Sequence, residues 1–285
     1  MNLPSRPFTE TPFELAVDGG SIHGHFGGTG VPALLLHGGP GVNDYMGGCA
    51  AELANLFTNI RYTQRGVEPS TAAGPYTIET HMADAIAILD LFEQGKAWAV
   101  GHSWGGHLAL HLAVTYPERL YGVVCIDPLA ATDDRPQFAE ALRRDLDGEQ
   151  LARLAEISEH HDDGSVTEEE LLEEIQILWP SYFYDRSKAP PCLIEHRGVE
   201  ATLETNRSID EHFAARTLKK RVGSIDLPVL FVHGIEDPLP LSGSVQTANH
   251  IKGARVARIP RCGHLPWIEQ PGFVNRSLRG LISLL

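Results

Sequence analysis

AWAVGHSWGGHLALHLAVTY, residues 97–116, joins two periodicities. Its first four residues form an apolar run of strand length, and from Trp104 onward the apolar residues recur with helical spacing. Between them stands Gly101-His102-Ser103-Trp104-Gly105, a G-x-S-x-G sequence. A strand that turns directly into a helix through this pentapeptide needs a sharp reversal, and the flanking glycines let the backbone pass without Cβ clashes. The serine at the apex then sits on a strained, exposed elbow, the place of a nucleophile. Ser103 is therefore the first candidate catalytic residue, and an open α/β sheet is the expected fold.

Further apolar runs of strand length lie outward of this stretch: PALLLHG (32–38), IRYTQRG (60–66), YGVVCID (121–127), PVLFVHG (228–234) and RVARIP (255–260). Continuous apolar strands separated by helical patterns imply a parallel sheet covered on both faces. FELAV and SIHGHFG, joined by DGG, read as an N-terminal hairpin that adds antiparallel strands at one edge, giving a mostly parallel sheet of eight. Helices are expected near 45–57, 79–93, 104–116, 243–251 and 272–284. The spacing breaks once, between Asp127 and Pro228, where about 100 residues stand in place of the roughly 30 that a crossover needs. Three helical patterns fill the gap, one opened by the capping box of Thr167 and Glu170 and stopped at Pro180. Residues 130–222 are expected to form a helical cap between the sixth and seventh strands, with 1–129 and 223–285 as the core.

A serine hydroxyl is a poor nucleophile at neutral pH, so a base must take its proton and a carboxylate must orient that base. For this elbow the chain order is serine, acid, histidine. FVHGIEDPLP supplies Asp237 after a buried strand, and RIPRCGHLPW supplies His264 after the last one. Glu236 and Asp127 compete for the role of the acid; Pro238 favours a sharp turn at Asp237. Attack on a carbonyl also needs bare N–H donors for the oxyanion. LLLHGGPG (34–41) runs a strand into a loop almost without side chains, where such a donor is required. Gly39 and Trp104, the residue after the nucleophile, are the expected pair.

These motifs resemble the α/β-hydrolase superfamily. HGGPG with GHSWGG, TQRG (63–66) and GHLPWIEQP (263–271) is similar to the proline iminopeptidase group within it. Two positions depart from that group's pattern: His102 stands where a glycine is usual, and Thr63 where an aspartate is usual. The resemblance implies an aminopeptidase whose cap acids hold a free α-amino group and whose aromatic residues hold a proline ring. On this chain Glu195, Glu200 and above all Glu204 are the candidate acids, and Trp179, Tyr182, Phe183 and Tyr184 the candidate aromatics.

The 285 residues carry 23 lysines and arginines against 37 acidic residues, a formal charge of −14. Such a field repels nucleic acid and anionic membrane surfaces, leaving a small molecule or short peptide as the expected partner. No apolar run approaches 18 residues, and four scattered cysteines fit reduced thiols, so a cytoplasmic protein is expected. No cofactor and no metal are expected. His107 and His111 have ligand spacing, but Leu108 replaces the glutamate of H-E-x-x-H. EHHDDGSVTEEE (159–170) reads as a turn before a capped helix rather than a calcium loop. The leading expectation is a cofactor-free serine hydrolase of aminopeptidase type. The same triad also serves an esterase, lactonase or carbon–carbon bond hydrolase, and a third reading is a non-catalytic ligand-binding homologue.

Overall fold

The computed structural model describes residues 8–282. An eight-stranded sheet is formed by β1 (Glu10–Val17), β2 (Gly20–Gly28), β3 (Val31–Leu36), β4 (Phe57–Tyr62), β5 (Ala97–His102), β6 (Leu120–Ile126), β7 (Val229–Gly234) and β8 (Arg255–Ile259). Their order is β1-β2-β4-β3-β5-β6-β7-β8. The β1–β2 hairpin and the β2–β4 pair are antiparallel, and every pair from β4 to β8 is parallel. This is the sheet expected from the sequence.

The central strands alternate strictly between two cores. Leu34, Leu36, Ala99, Val123, Cys125 and Phe231 belong to one, while Ala33, Leu35, Val100, Val124, Ile126 and Val232 belong to the other. Because helices bury both faces, the sequence shows no polar alternation, only apolar runs. On the first face lie α2 (Ile78–Leu91) and α3 (Trp104–Thr115); on the second lie α1 (Gly47–Leu53), α10 (Pro266–Glu269) and α11 (Phe273–Ile282). α9 (Leu241–Ala248) connects β7 to β8.

Between β6 and β7 the chain forms α4 (Arg135–Arg143), α5 (Gly148–Asp163), α6 (Glu168–Leu178), α7 (Val199–Ala215) and α8 (Thr217–Arg221). Thr167 and Glu170 make the expected capping box on α6, and α5 ends at Gly164 with φ +78°. The EHHDDGSVTEEE stretch is thus the end of one helix and the capped start of the next. α7 leaves the insertion and docks on the core: the Ser208 hydroxyl accepts from Ile78 N–H, and His81 shares a hydrogen bond with Thr205.

Two boundaries differ from the sequence reading. α1 is shorter than 45–57, and β4 runs from Phe57 to Tyr62 rather than over 60–66. TQRG is a loop whose side chains are spent on buried partners: Gln64 bonds His37 and Trp104, and Arg65 pairs with Asp84. All four cysteines are unpaired. Among the described residues no helix is long and apolar enough to cross a membrane.

Candidate active site

The chain steps from β3 to β4 on one side and to β5 on the other, so the crevice beyond β3 and β5 is the switch point where open α/β sheets place their sites. The G-x-S-x-G turn occupies it. Ser103 has φ +54° and ψ −121°, a conformation few side chains adopt, and immediately precedes α3. The flanking glycines are required by space. A Cβ on Gly101 would strike the carbonyl of Gly105, and one on Gly105 would strike the carbonyl of Leu36 in β3.

His264 follows β8 and is buried. Its Nδ1–H donates to the Asp237 carboxylate, 2.9 Å from Oδ2 and 3.0 Å from Oδ1. Asp237 Oδ1 also accepts from Leu239 N–H at 2.8 Å, across the Pro238 turn. The competing acids are engaged elsewhere: Glu236 accepts from Cys262 N–H at 3.1 Å, and Asp127 from Gly234 N–H at 2.7 Å. Burial works to raise the Asp237 carboxyl, but His264 holds it below the ordinary range. Burial and the Asp237 charge push Asp127 well above that range, so of the two buried carboxyls Asp127 keeps the proton.

With Nδ1 on Asp237, the Nε2 of His264 is left as the proton acceptor. Ser103 and His264 line one cavity, together with Gly39 and His102. Gly38 presses against the serine, since a Cβ there would lie 2.8 Å from Ser103 Cβ. Gly39 follows with φ +123°, and Trp104 opens α3, where an amide has no partner within the helix. Gly39 and Trp104, the residues expected to face an oxyanion, thus lie on either side of Ser103.

His102 connects these parts. Gly38 N–H donates to Tyr45 Oη (2.9 Å), Tyr45 O–H to His102 Nδ1 (2.6 Å), and His102 Nε2–H to the His264 carbonyl (2.7 Å). Burial, then the neighbouring His264, lowers the His102 pKa well below its ordinary value, so the ring is neutral and the polarity of this chain is fixed. His37 is equally tied: Nδ1–H donates to the Gly38 carbonyl at 2.7 Å, and Nε2 accepts from Gln64 N–H at 3.0 Å.

The cavity, of about 170 Å³, is walled by Val42, Phe138, Leu178, Trp179, Tyr182 and Ile194, with one ion pair, Arg197 to Glu174 at 3.0 Å. A second cavity of about 290 Å³ shares Gly39, Ser103, Phe138, Glu174 and Leu178 with the first, and adds Trp104, Leu129, Arg135, Arg143 and Ile209. Trp179 and Tyr182 thus line the first cavity. Phe183 does not line either cavity, being buried in the core beneath. Glu204 is also absent from both: it accepts from Tyr76 N–H at 3.4 Å, because α7 turns Thr205, Ser208 and Ile209 inward instead. Glu195 and Glu200 are exposed and line neither. The residues missed by sequence reasoning are Tyr45, Arg143, Glu174 and Arg197, which carry no motif.

His107 and His111 face each other at 3.3 Å inside the core. Asp127, His233 and Asp237 bring ligand-type atoms within 4.8 Å of one another, but His233 is spent on Ser244 and the Leu239 carbonyl and Asp127 on Gly234. The cluster is a hydrogen-bond support behind Asp237.

Known proteins match this chain widely. It is 29% identical over 168 residues to YraK of Bacillus subtilis (strain 168), an uncharacterized hydrolase, covering 55% of this chain and 62% of that one. It is 23% identical over 266 residues to a proline iminopeptidase of Elizabethkingia meningoseptica, covering 86% and 87%. With the 2-hydroxymuconate semialdehyde hydrolase of Pseudomonas sp. (strain CF600) it shares 26% over 293 residues, covering 94% and 92%. Among solved structures, an α/β-fold hydrolase of Bacillus anthracis str. Sterne superposes with a TM-score of 0.72 at 19% identity, over 95% of this chain and 99% of that one. The sequence model described as the alpha/beta hydrolase fold matches residues 32–271, which span the sheet from β3 onward, the elbow and the insertion. With its strand order, its serine elbow and that match, the chain belongs to the α/β hydrolase fold family.

Proposed function

We propose that the chain is a serine hydrolase that cleaves a small carboxylic ester or lactone through an acyl-enzyme. The observation that carries this is the Asp237–His264 pair and the strained Ser103 meeting at one cavity beside glycine-walled amides. His264 Nε2 takes the hydroxyl proton as Ser103 Oγ bonds to the carbonyl carbon, and the π pair moves to oxygen, facing Gly39 and Trp104 N–H. Collapse breaks the bond to the leaving group, which receives the proton from His264. A water, deprotonated by the same nitrogen, then attacks the acyl carbon and restores the Ser103 hydroxyl as the acid leaves. Each step draws on groups that the chain supplies. The helices between β6 and β7 serve as a cap that supplies the apolar walls.

The aminopeptidase of the proline iminopeptidase type is the second reading, favoured by HGGPG and by the relative from Elizabethkingia meningoseptica. Against it, Glu204 lies off the cavities, and the acid that does line them, Glu174, is already neutralised by Arg197. Fluorophosphonate labelling followed by a panel of 4-nitrophenyl esters, lactones and prolyl or alanyl arylamides separates the readings. Ser103 should take the label and esters or lactones should turn over faster than arylamides. Ser103→Ala should stay folded by circular dichroism, refuse the label and lose about 10⁴-fold or more in kcat/KM. Preferred cleavage of arylamides bearing a free α-amine would establish the second reading, and an unlabelled serine with no turnover would leave only a ligand-binding role.

A further inference from the structure

Ser103 stands where two cavities meet, and the two differ in chemistry. The first contains His264, Leu265, Tyr182 and Trp179. The second lacks His264 but contains Trp104, Arg135 and Arg143. Since His264 must hand its proton to the departing oxygen, the lobe that contains it takes the leaving group, and the lobe on the Trp104 side takes the acyl chain. This assignment rests on the serine hydrolase reading above.

The acyl lobe holds one arginine without a carboxylate partner, in a protein whose net charge is −14. Charged residues lining the two lobes are Arg135, Arg143, Arg197 and Glu174. Glu174 is matched by Arg197, and Arg135 by Asp133 and Asp210 at 2.7 and 2.8 Å. Arg143 is different. Its one polar contact is Nη1–H to the Ala139 carbonyl of its own helix at 3.2 Å, with no carboxylate beside it among the described residues. An arginine held half-buried against a reaction cavity without an internal counter-ion retains most of its donors for a ligand, and its planar fork suits a carboxylate.

We infer that the acyl lobe binds a carboxylate through Arg143, so that the substrate is a monoester or lactone of a short dicarboxylic acid with an apolar leaving group. Leu129, Leu142, Ile209 and Leu239 provide the apolar walls for the carbons between the ester and that carboxylate.

The test compares 4-nitrophenyl hydrogen glutarate with 4-nitrophenyl valerate, which share a five-carbon acyl chain and differ in charge. The wild-type chain should favour the anionic ester by about 10-fold or more in kcat/KM, the effect of one charge-assisted hydrogen bond, with the preference shrinking in high salt. Arg143→Gln should bring the ratio near unity, Arg143→Lys should keep part of it, and Arg143→Glu should reverse it. Arg144→Gln, beside it but outside both lobes, should leave the ratio as it was. A neutral ester cleaved as well as the anionic one, with Ser103 labelled by the fluorophosphonate, overturns the carboxylate assignment alone. No label and no turnover of either ester overturns the hydrolase reading with it. A ratio that survives in Arg143→Gln overturns the role of this residue.

Discussion

His102 shows what one departure from a family pattern accomplishes. The neutral ring accepts from Tyr45 and donates to the His264 carbonyl, so the residue next to Ser103 spans from the glycine loop to His264. Protonation would put a donor on Nδ1, and Tyr45 Oη, already accepting from Gly38 N–H, would then face two donors. Burial prevents this. Tyr45→Phe removes both the acceptor for Gly38 N–H and the donor to His102 while leaving the ring stacked on Trp267. An unsatisfied buried amide costs about 1–3 kcal/mol, and if half of that reaches the oxyanion geometry the rate falls roughly 3- to 10-fold, with KM little changed. Parallel measurement of kcat, KM and the fluorophosphonate labelling rate checks it: both kcat and labelling should slow together. An unchanged rate would mean that Gly38 and Gly39 are held without the tyrosine.

At the scale of elements, the elbow depends on how closely α3 approaches β3. Gly105→Ala places a methyl against the Leu36 carbonyl, which is strand backbone and has no room to yield. The expected loss is about 3 kcal/mol or more, read as a lower urea midpoint, whereas Gly95→Ala, with nothing near its Cβ, should stay within about 0.5 kcal/mol. The same local rules decided what could be read in advance. The strands from β5 to β8 were legible to within a residue or two, because buried apolar runs end at glycine, proline or aspartate. β4 was not. ELANLFTNIRY passes from helix to strand without a punctuating residue, and the polar TQRG beyond it looked like strand although Gln64 and Arg65 are buried as loop anchors. Ser103, Asp237, His264, Gly39 and Trp104 could be singled out because each sits in a turn with its own glycine or proline signature. Glu204, Phe183, Glu174, Arg197 and Arg143 lie on inserted helices and their connections, where a one-residue rotation decides whether a side chain meets the cavity or the core, and no motif records it.

For the molecule as a whole, the decisive group is its histidines. His37, His81, His102, His107, His111 and His233 are all buried, and burial lowers the pKa of each, to about 4 for His107 and about 3 for His81. In the unfolded chain they take protons near pH 6.5, while the folded chain takes them only at lower pH, well below for His81, His102, His107 and His111. The folded state therefore binds fewer protons, so stability is full above about pH 6.5 and falls as the pH drops below it, by roughly 1.4 kcal/mol per unit for each histidine. Asp84, Asp127, Asp134 and Glu269 oppose this, since burial raises their pKa and so favours the folded state on acidification, but they are four carboxyls against six histidines. Approach to the isoelectric point near 5.4 also relieves the acidic surface. That repulsion is screened beyond about 8 Å in physiological salt, and buried sites are not. Against a total stability on the order of 5–15 kcal/mol, the histidine contribution dominates. Thermal melts should give a flat Tm between pH 7 and 8, a steep fall below 6.5 and an unfolded chain near pH 5. His107→Gln, which keeps a polar side chain at one of these sites without the titration, should lessen the slope. A Tm that holds from pH 7 to pH 5 would show that these rings are protonated within the fold.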